Sequence, residues 1–340
     1  FKTADRIGKF LRLDRNEKVE KLDNKIFKKI IGSIKNEYLT AYPETTEFHD
    51  LVAKKNRLKF DEVLITTGSD TAIRHVYETF IKPNDKILTL DNTYAMYPVY
   101  AKMMGAKINT INYNEKFEID VNKLLKNTKG IKMLVIANPN LSGQVIRNKD
   151  LLKILKFSKG KFLVLIDECY FGFYKSSQIK NVKKFNNLIV TRSFSKTYGI
   201  PGVRIGAAFS CKEMINKLNK VRLTHAISAP ASLIGKCLIE DKNYFKKNIK
   251  NTLNGKKYLI NFLKKKKIKY LNTYTNFIYI KFDNAKDTKI MISGLEKKKI
   301  LVKGPYSNFP FENMIRVTVG NPDTMQKFIN GFLKVYNKIN

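Results

Sequence analysis

Along the chain, short apolar runs alternate with longer segments in which apolar residues recur every three or four positions. EVLITTG (62–68) precedes DTAIRHVYETFI (70–81), DKILTL (85–90) precedes YAMYPVYAKMMG (94–105), and IKMLVIAN (131–138) precedes NKDLLKILKFS (148–158). KFLVLIDE (161–168) and NLIVTRS (187–193) continue the series. This alternation predicts βα units, that is, an α/β fold with a mainly parallel sheet and helices on both faces. IKMLVIA and FLVLID are almost wholly apolar, as strands covered on both sides are.

The rhythm is absent from the first 35 residues, which are expected to form an arm packing on the smaller domain. Residues 36–230 carry the βα series and form the expected large domain. From 231 to 340 the chain turns to Lys-rich helical segments, half-buried strands in TNFIYIKFD and NMIRVTVG, and a closing helix in TMQKFINGFLKVY. That composition predicts a smaller α+β domain. A length of 340 residues exceeds the usual single domain and accommodates both.

Composition narrows the function classes. The 43% hydrophobic and 28% charged residues suit a globular chain, and no apolar run approaches the roughly 18 residues of a membrane span. The opening FKTADRIGKFLRLD has no long apolar core of the signal-peptide kind, so a cytoplasmic protein is expected. Cys169, Cys211 and Cys237 are dispersed and form no CxxC pair, so neither a disulfide framework nor a metal site is expected.

The net charge of +36 raises nucleic acid as a partner. The lysines are spread over nearly every segment, however, and no zinc-finger, basic-zipper or RNA-recognition pattern accompanies them. A solvated basic surface is expected, with no specific nucleic-acid site.

In open α/β sheets ligands gather beyond the carboxyl ends of the strands, so the polar residues following each apolar run are compared. After EVLI comes TTGSD, where Gly68, Ser69 and Asp70 open a helix. Its first free N–H groups would hold an anion, or Ser69 or Asp70 would simply cap it. After MLVIA comes NPN, in which Asn138 is either a ligand or the start of a turn with Pro139. Asp167 ends a strand of pure hydrophobes and requires a cationic or hydrogen-bonding partner, from a ligand or from a core ion pair. After NLIV comes TRSFSK, where Lys196 on an apolar floor could become a nucleophilic amine able to form a Schiff base.

Taken together, SFSKTYGIPGVRIG (193–206) resembles the lysine motif of fold-type I pyridoxal phosphate-dependent aminotransferases, and DECYFGF (167–173) resembles their pyridine-binding strand. TTGSDTAI is similar to the phosphate-binding turn and YAMYPVYAKMMGA to the cofactor-stacking segment, in a form resembling the histidinol-phosphate aminotransferase branch. RLDRNE (12–17), AYPE (41–44) and MIRVTVG (314–320) are similar to further elements of that branch, so the resemblance spans residues 10–340.

The resemblance implies a three-layer large domain with a mainly parallel or mixed sheet, a smaller α+β domain, and pyridoxal 5′-phosphate as cofactor. It implies that Lys196 holds the cofactor aldehyde and carries the Cα proton, with Asp167 at the pyridine nitrogen and Tyr170 and Asn138 at the phenolic oxygen. Tyr94 would stack on the ring. The phosphate would meet Gly68, Ser69, Asp70, Ser193, Ser195 and Arg204, with Tyr42 reaching the neighbouring subunit's site in a homodimer. Arg316 would take the donor's carboxylate and Lys303 the distal substrate group, while Asn276 supports packing. The implied reaction moves an amino group, from L-glutamate, to a phosphorylated keto acceptor in amino-acid biosynthesis.

Three departures bear on the substrate. NPNLSGQ (138–144) differs from the branch's loop at Leu141 and Ser142, Lys303 stands where an arginine is common, and Thr71 replaces glutamate. The alternative on the same fold is a decarboxylase of a phosphorylated amino acid, which also needs Lys196 and Asp167.

Overall fold

The computed structural model describes residues 5–339. The chain divides into two compact units, Leu22–Phe245 and Phe1–Lys21 with Lys246–Asn340. The divisions fall at 21 and 245, where 35 and 230 were expected. Helix Asn24–Ser33, capped by Asp23, packs on helix Ala229–Glu240 inside the larger unit. Strand Leu11–Leu13 belongs to the smaller unit, where it pairs in parallel with Ile300–Val302. The expected arm is therefore shared between the two units.

A seven-stranded sheet forms the centre of the larger unit, in the order Val63–Thr66, Gly206–Phe209, Leu188–Ser193, Leu163–Asp167, Met133–Ala137, Lys86–Leu90 and Lys107–Ile111. Gly206–Phe209 runs antiparallel to both neighbours and the other pairings are parallel, which makes the sheet mixed. Met133–Ala137 and Leu163–Asp167 are buried at every position, as their apolar runs require. The amphipathic helix Gly68–Phe80 seals one face, with Ala72, Ile73, Val76 and Tyr77 in the same core as Val135, Leu165 and Ile189. Each large aliphatic side chain so buried contributes about 1.5–3 kcal/mol.

Phe277–Lys281 pairs antiparallel with Met314–Thr318 and with Tyr270–Leu271 in the smaller unit. Helices Tyr244–Lys265, Ala285–Lys297 and Pro322–Tyr336 accompany this sheet, and Leu259, Met291, Phe328 and Phe332 form a fully buried core with Ile278 and Ile315. Among the described residues no helix is long and apolar enough to cross a membrane.

Candidate active site

Strand register brings the carboxyl-end residues of distant segments together. Ala137 pairs with Asp167 and Asp167 with Thr191, and the Asn138 N–H donates to the Asp167 carbonyl at 2.9 Å. NPN, DECY and TRSFSK therefore share one edge of the sheet.

Asp167 is 3% exposed, and its carboxylate accepts from three neutral donors: Thr191 Oγ1 at 3.0 Å, Tyr97 Oη at 3.1 Å and Cys169 N at 3.1 Å. Burial pushes its pKa up to about 6, against the lowering effect of those hydrogen bonds. Among the described residues no cation forms a salt bridge with it, so the expected alternative of a core ion pair is not what forms. Burial, followed by the Asp167 charge, also raises the Cys169 thiol, and the Lys196 ammonium opposes that rise, so Lys196 acts in the same neighbourhood. Tyr170 follows three residues after Asp167 and is 7% exposed.

Helix Gly68–Phe80 starts at the adjoining edge. Its N-cap is Thr67, whose side chain makes no capping bond and instead donates to the Ala226 carbonyl. Ser69 and Asp70 lie within the first turn, so neither is the cap that was one expected reading. Asp70 Oδ1 accepts from Tyr100 Oη at 2.8 Å and Tyr94 Oη at 3.2 Å.

Two close approaches shape this helix end. A Cβ on Gly206 would lie 2.1 Å from Ser69 N, so only glycine lets the strand pass there. Gly68 has φ +81°, and a Cβ on it would lie 2.8 Å from Arg204 Nη2. Arg204, itself at φ 58°, thus sets its guanidinium against the free N–H groups of the helix, both favourable to an anion.

Ser193 Oγ accepts from Ser195 N at 3.0 Å, which fixes the turn immediately before Lys196. Asn138 is part of a cis peptide with Pro139, and its side chain clasps Ile146, accepting from N at 2.8 Å and donating to O at 3.3 Å. Ser142 is fully buried; its hydroxyl donates to Asn140 Oδ1 at 2.5 Å and lies 3.1 Å from the Phe117 carbonyl oxygen, so this departure fills the loop's interior. Thr71 donates back to the Thr67 carbonyl at 2.9 Å. Tyr42 is 82% exposed and stacks on His225, ring centres 4.6 Å apart.

Arg316 and Lys303 are residues of the smaller unit. They form a hydrogen-bonded antiparallel pair, Lys303 N to Arg316 O at 3.0 Å and Arg316 N to Lys303 O at 2.7 Å, which puts both side chains on one face. Arg316 also donates to the Asp14 carbonyl at 3.3 Å. Asn276 donates to the Asn16 carbonyl at 3.0 Å, a packing contact.

Sequence reading passed over Tyr97, Thr191 and Tyr100, which position Asp167 and Asp70. Tyr97 and Tyr100 stand three and six residues after Tyr94 in a helical segment, a spacing that signals core. Tyr97 is wholly buried, and its ring meets that of Tyr94 edge-on at 5.6 Å. Among the described residues no group of His, Cys, Asp or Glu could hold a metal ion.

One edge of a mixed α/β sheet thus offers a buried carboxylate at one point and a cationic helix terminus at another, as a cofactor with a basic ring and a phosphate requires. That is the arrangement of a pyridoxal phosphate-dependent enzyme of fold type I. The profile of the family "Aminotransferase class I and II" matches residues 12–332, and the chain belongs to that family.

A histidinol-phosphate aminotransferase of Clostridium novyi (strain NT) is 31% identical over 326 residues, covering 94% of this chain and 90% of the relative. The structure of histidinol-phosphate aminotransferase from Sinorhizobium meliloti in complex with pyridoxal-5′-phosphate has a TM-score of 0.89 at 18% identity, covering 97% of this chain and 92% of that one. L-threonine-O-3-phosphate decarboxylase from Porphyromonas gingivalis has a TM-score of 0.81 at 20% identity, covering 96% and 99%. These two structural likenesses establish the fold. The chain is a pyridoxal phosphate-dependent aminotransferase.

Proposed function

We propose that the enzyme transfers an amino group from L-glutamate to a phosphorylated keto acceptor, as a histidinol-phosphate aminotransferase does. The observation that carries the substrate reading is the cation pair Lys303 and Arg316, projecting from one hydrogen-bonded pair of backbones. Two cations side by side suit a donor carboxylate and a distal phosphate. Arg316 would grip the carboxylate with its planar fork, and Lys303 would meet the phosphate as a point charge.

The residues at the sheet edge fit the cofactor. Asp167 would meet the protonated pyridine nitrogen, supplying the cationic partner that its three neutral donors do not. Thr191 and Tyr97 would keep that carboxylate in place. Tyr170 would donate to the phenolic oxygen together with Asn138, which has its second amide hydrogen to give. Tyr94, tied to Asp70, would cover the ring face. The N–H groups of Ser69 and Asp70, freed by the turn at Gly68, would bind the phosphate with Ser193, Ser195 and Arg204.

When bound, pyridoxal phosphate supplies an electron sink for the bonds at the substrate Cα. Lys196 would anchor its aldehyde, and the released amine would take the Cα proton and return it, one group acting as base and then as acid. The enzyme would act in the cytoplasm as a homodimer, with Tyr42 extending to the partner's phosphate site. Support for the dimer comes from the exposed Tyr42, which lines a groove bearing Glu37, Glu44, Glu47, Asp50 and Asp61. An acidic groove on a chain of net charge +36 complements the basic surface of a second copy.

The test is production of glutamate from 2-oxoglutarate with L-histidinol phosphate as amino donor, using the pyridoxal phosphate-loaded enzyme. Loss of activity with Lys303→Ala only for phosphorylated donors is expected. Equal loss with unphosphorylated donors would remove Lys303 from phosphate recognition, and carbon dioxide release from O-phosphothreonine in place of transamination would establish the decarboxylase.

A further inference from the structure

A cavity of about 840 Å³ opens within the larger unit, beside the ends of strands Leu163–Asp167 and Leu188–Ser193. Side chains alternate across a strand, so Arg192 faces the other side of the sheet from Thr191. Its guanidinium lies 3.4 Å from the centre of the Phe171 ring and is bound by Glu168 at 3.0 Å, Ser177 at 2.6 Å and Asn56 at 2.8 Å. The floor is therefore rigid and locally neutral. Aromatic rings wall it: Phe194 stacks on Tyr198 at 4.4 Å, Tyr198 meets Phe245 at 5.1 Å, and Phe171 meets Phe245 at 6.4 Å.

Around this wall stand Lys55, Arg57, Lys175 and Lys180, all exposed, and among the described residues no carboxylate pairs with any of them. Lys183 is different, being bound to Glu62 at 3.2 Å. The Lys55 amine lies 5.9 and 6.0 Å from the Tyr198 and Phe245 ring centres, so charge and ring surface adjoin. General basicity does not account for this. The larger cavity in the same unit carries five carboxylates and only Arg222 and Lys236 as fixed cations.

We propose that this cavity is a second binding site, for an anion built on a planar aromatic ring, with the ring against Phe171, Tyr198 and Phe245 and its phosphate or carboxylate at Lys55, Arg57, Lys175 and Lys180. The volume is that of small-molecule sites, which combine an apolar body with a few placed polar groups. Neither half suffices alone. An uncharged ring would gain nothing from the four cations, and a bare phosphate would leave the aromatic wall wet.

Calorimetric titration of the pyridoxal phosphate-loaded enzyme tests this with AMP, adenosine and ribose 5-phosphate as probes, and with 8-anilinonaphthalene-1-sulfonate as a second aromatic anion. One site for AMP or for the sulfonate is expected, with adenosine and ribose 5-phosphate each at least about tenfold weaker than AMP, the ring and the charge acting together. The double variant Lys175→Glu/Lys180→Glu should weaken the bound aromatic anion by about fivefold per reversed charge and leave basal transamination unchanged. Phe245→Leu should weaken it through the wall. Four results overturn the proposal: affinity that ignores these substitutions, adenosine binding as tightly as AMP, ribose 5-phosphate binding as tightly as AMP, or no binding of either aromatic anion.

Discussion

Replacing Asp167 by Asn should stabilise the cofactor-free protein while disabling the loaded enzyme. A carboxyl group shifted from its ordinary 3.8 to about 6 carries about 3 kcal/mol against its charged form. Because the folded pKa lies above the unfolded one, the folded protein holds the extra proton between about pH 4 and 6. Stability therefore falls as pH rises through that window, and the full cost applies above it. An amide has the same shape and can keep Oδ1 as acceptor for Thr191 and Cys169 N. Its NH₂ would then face Tyr97, whose hydroxyl can turn to accept. Allowing for that imperfect exchange, Asp167→Asn should add about 1–3 kcal/mol to the apoprotein at pH 8 and nothing at pH 4. On the role proposed for Asp167, the same change in the loaded enzyme removes one partner of a buried charge pair, a loss of about 3–5 kcal/mol and thus on the order of 10²–10⁴-fold in kcat/KM. Urea denaturation of the apoproteins at the two pH values, with steady-state kinetics of the loaded forms, checks both halves. An Asn variant less stable than wild type at pH 8 would refute the reading of Asp167 as a charge awaiting its cation.

Arg204→Ala should weaken cofactor binding by about 10–100-fold, the worth of a charge-assisted hydrogen bond, as measured by equilibrium dialysis, with little change in apoprotein stability. Gly206→Ala should lower stability by at least about 3 kcal/mol, because its Cβ would meet the backbone at Ser69 and neither side can move cheaply; a normal thermal midpoint would contradict the packing. Lys256 is 5% exposed, holds the carbonyls of Thr273 and Thr275, and has its pKa lowered by burial to about 7. Its folded pKa lies below its unfolded one, so stability should rise by a few kcal/mol between pH 7 and 10, and Lys256→Met should flatten that rise in denaturation curves.

What could be read from sequence follows from how each element is solvated. Met133–Ala137 and Leu163–Asp167 are enclosed on both faces, so their composition alone marked them as central strands. Lys107–Ile111 escaped notice because it is an edge strand whose first four residues are exposed or half-buried, which leaves little apolar signal. Gly206–Phe209 escaped because four small residues after a turn carry no periodicity, although its antiparallel insertion sets Gly206 against the helix start. The same division holds at the site. Asp167 was legible because a carboxylate at the end of an apolar run is costly wherever the run lies. Tyr97 was not, because its hydroxyl is used by a carboxylate 70 residues away, and from its own neighbours it is one more core aromatic. A residue that pays an electrostatic cost announces itself locally, whereas one that relieves another residue's cost is visible only once the chain has folded.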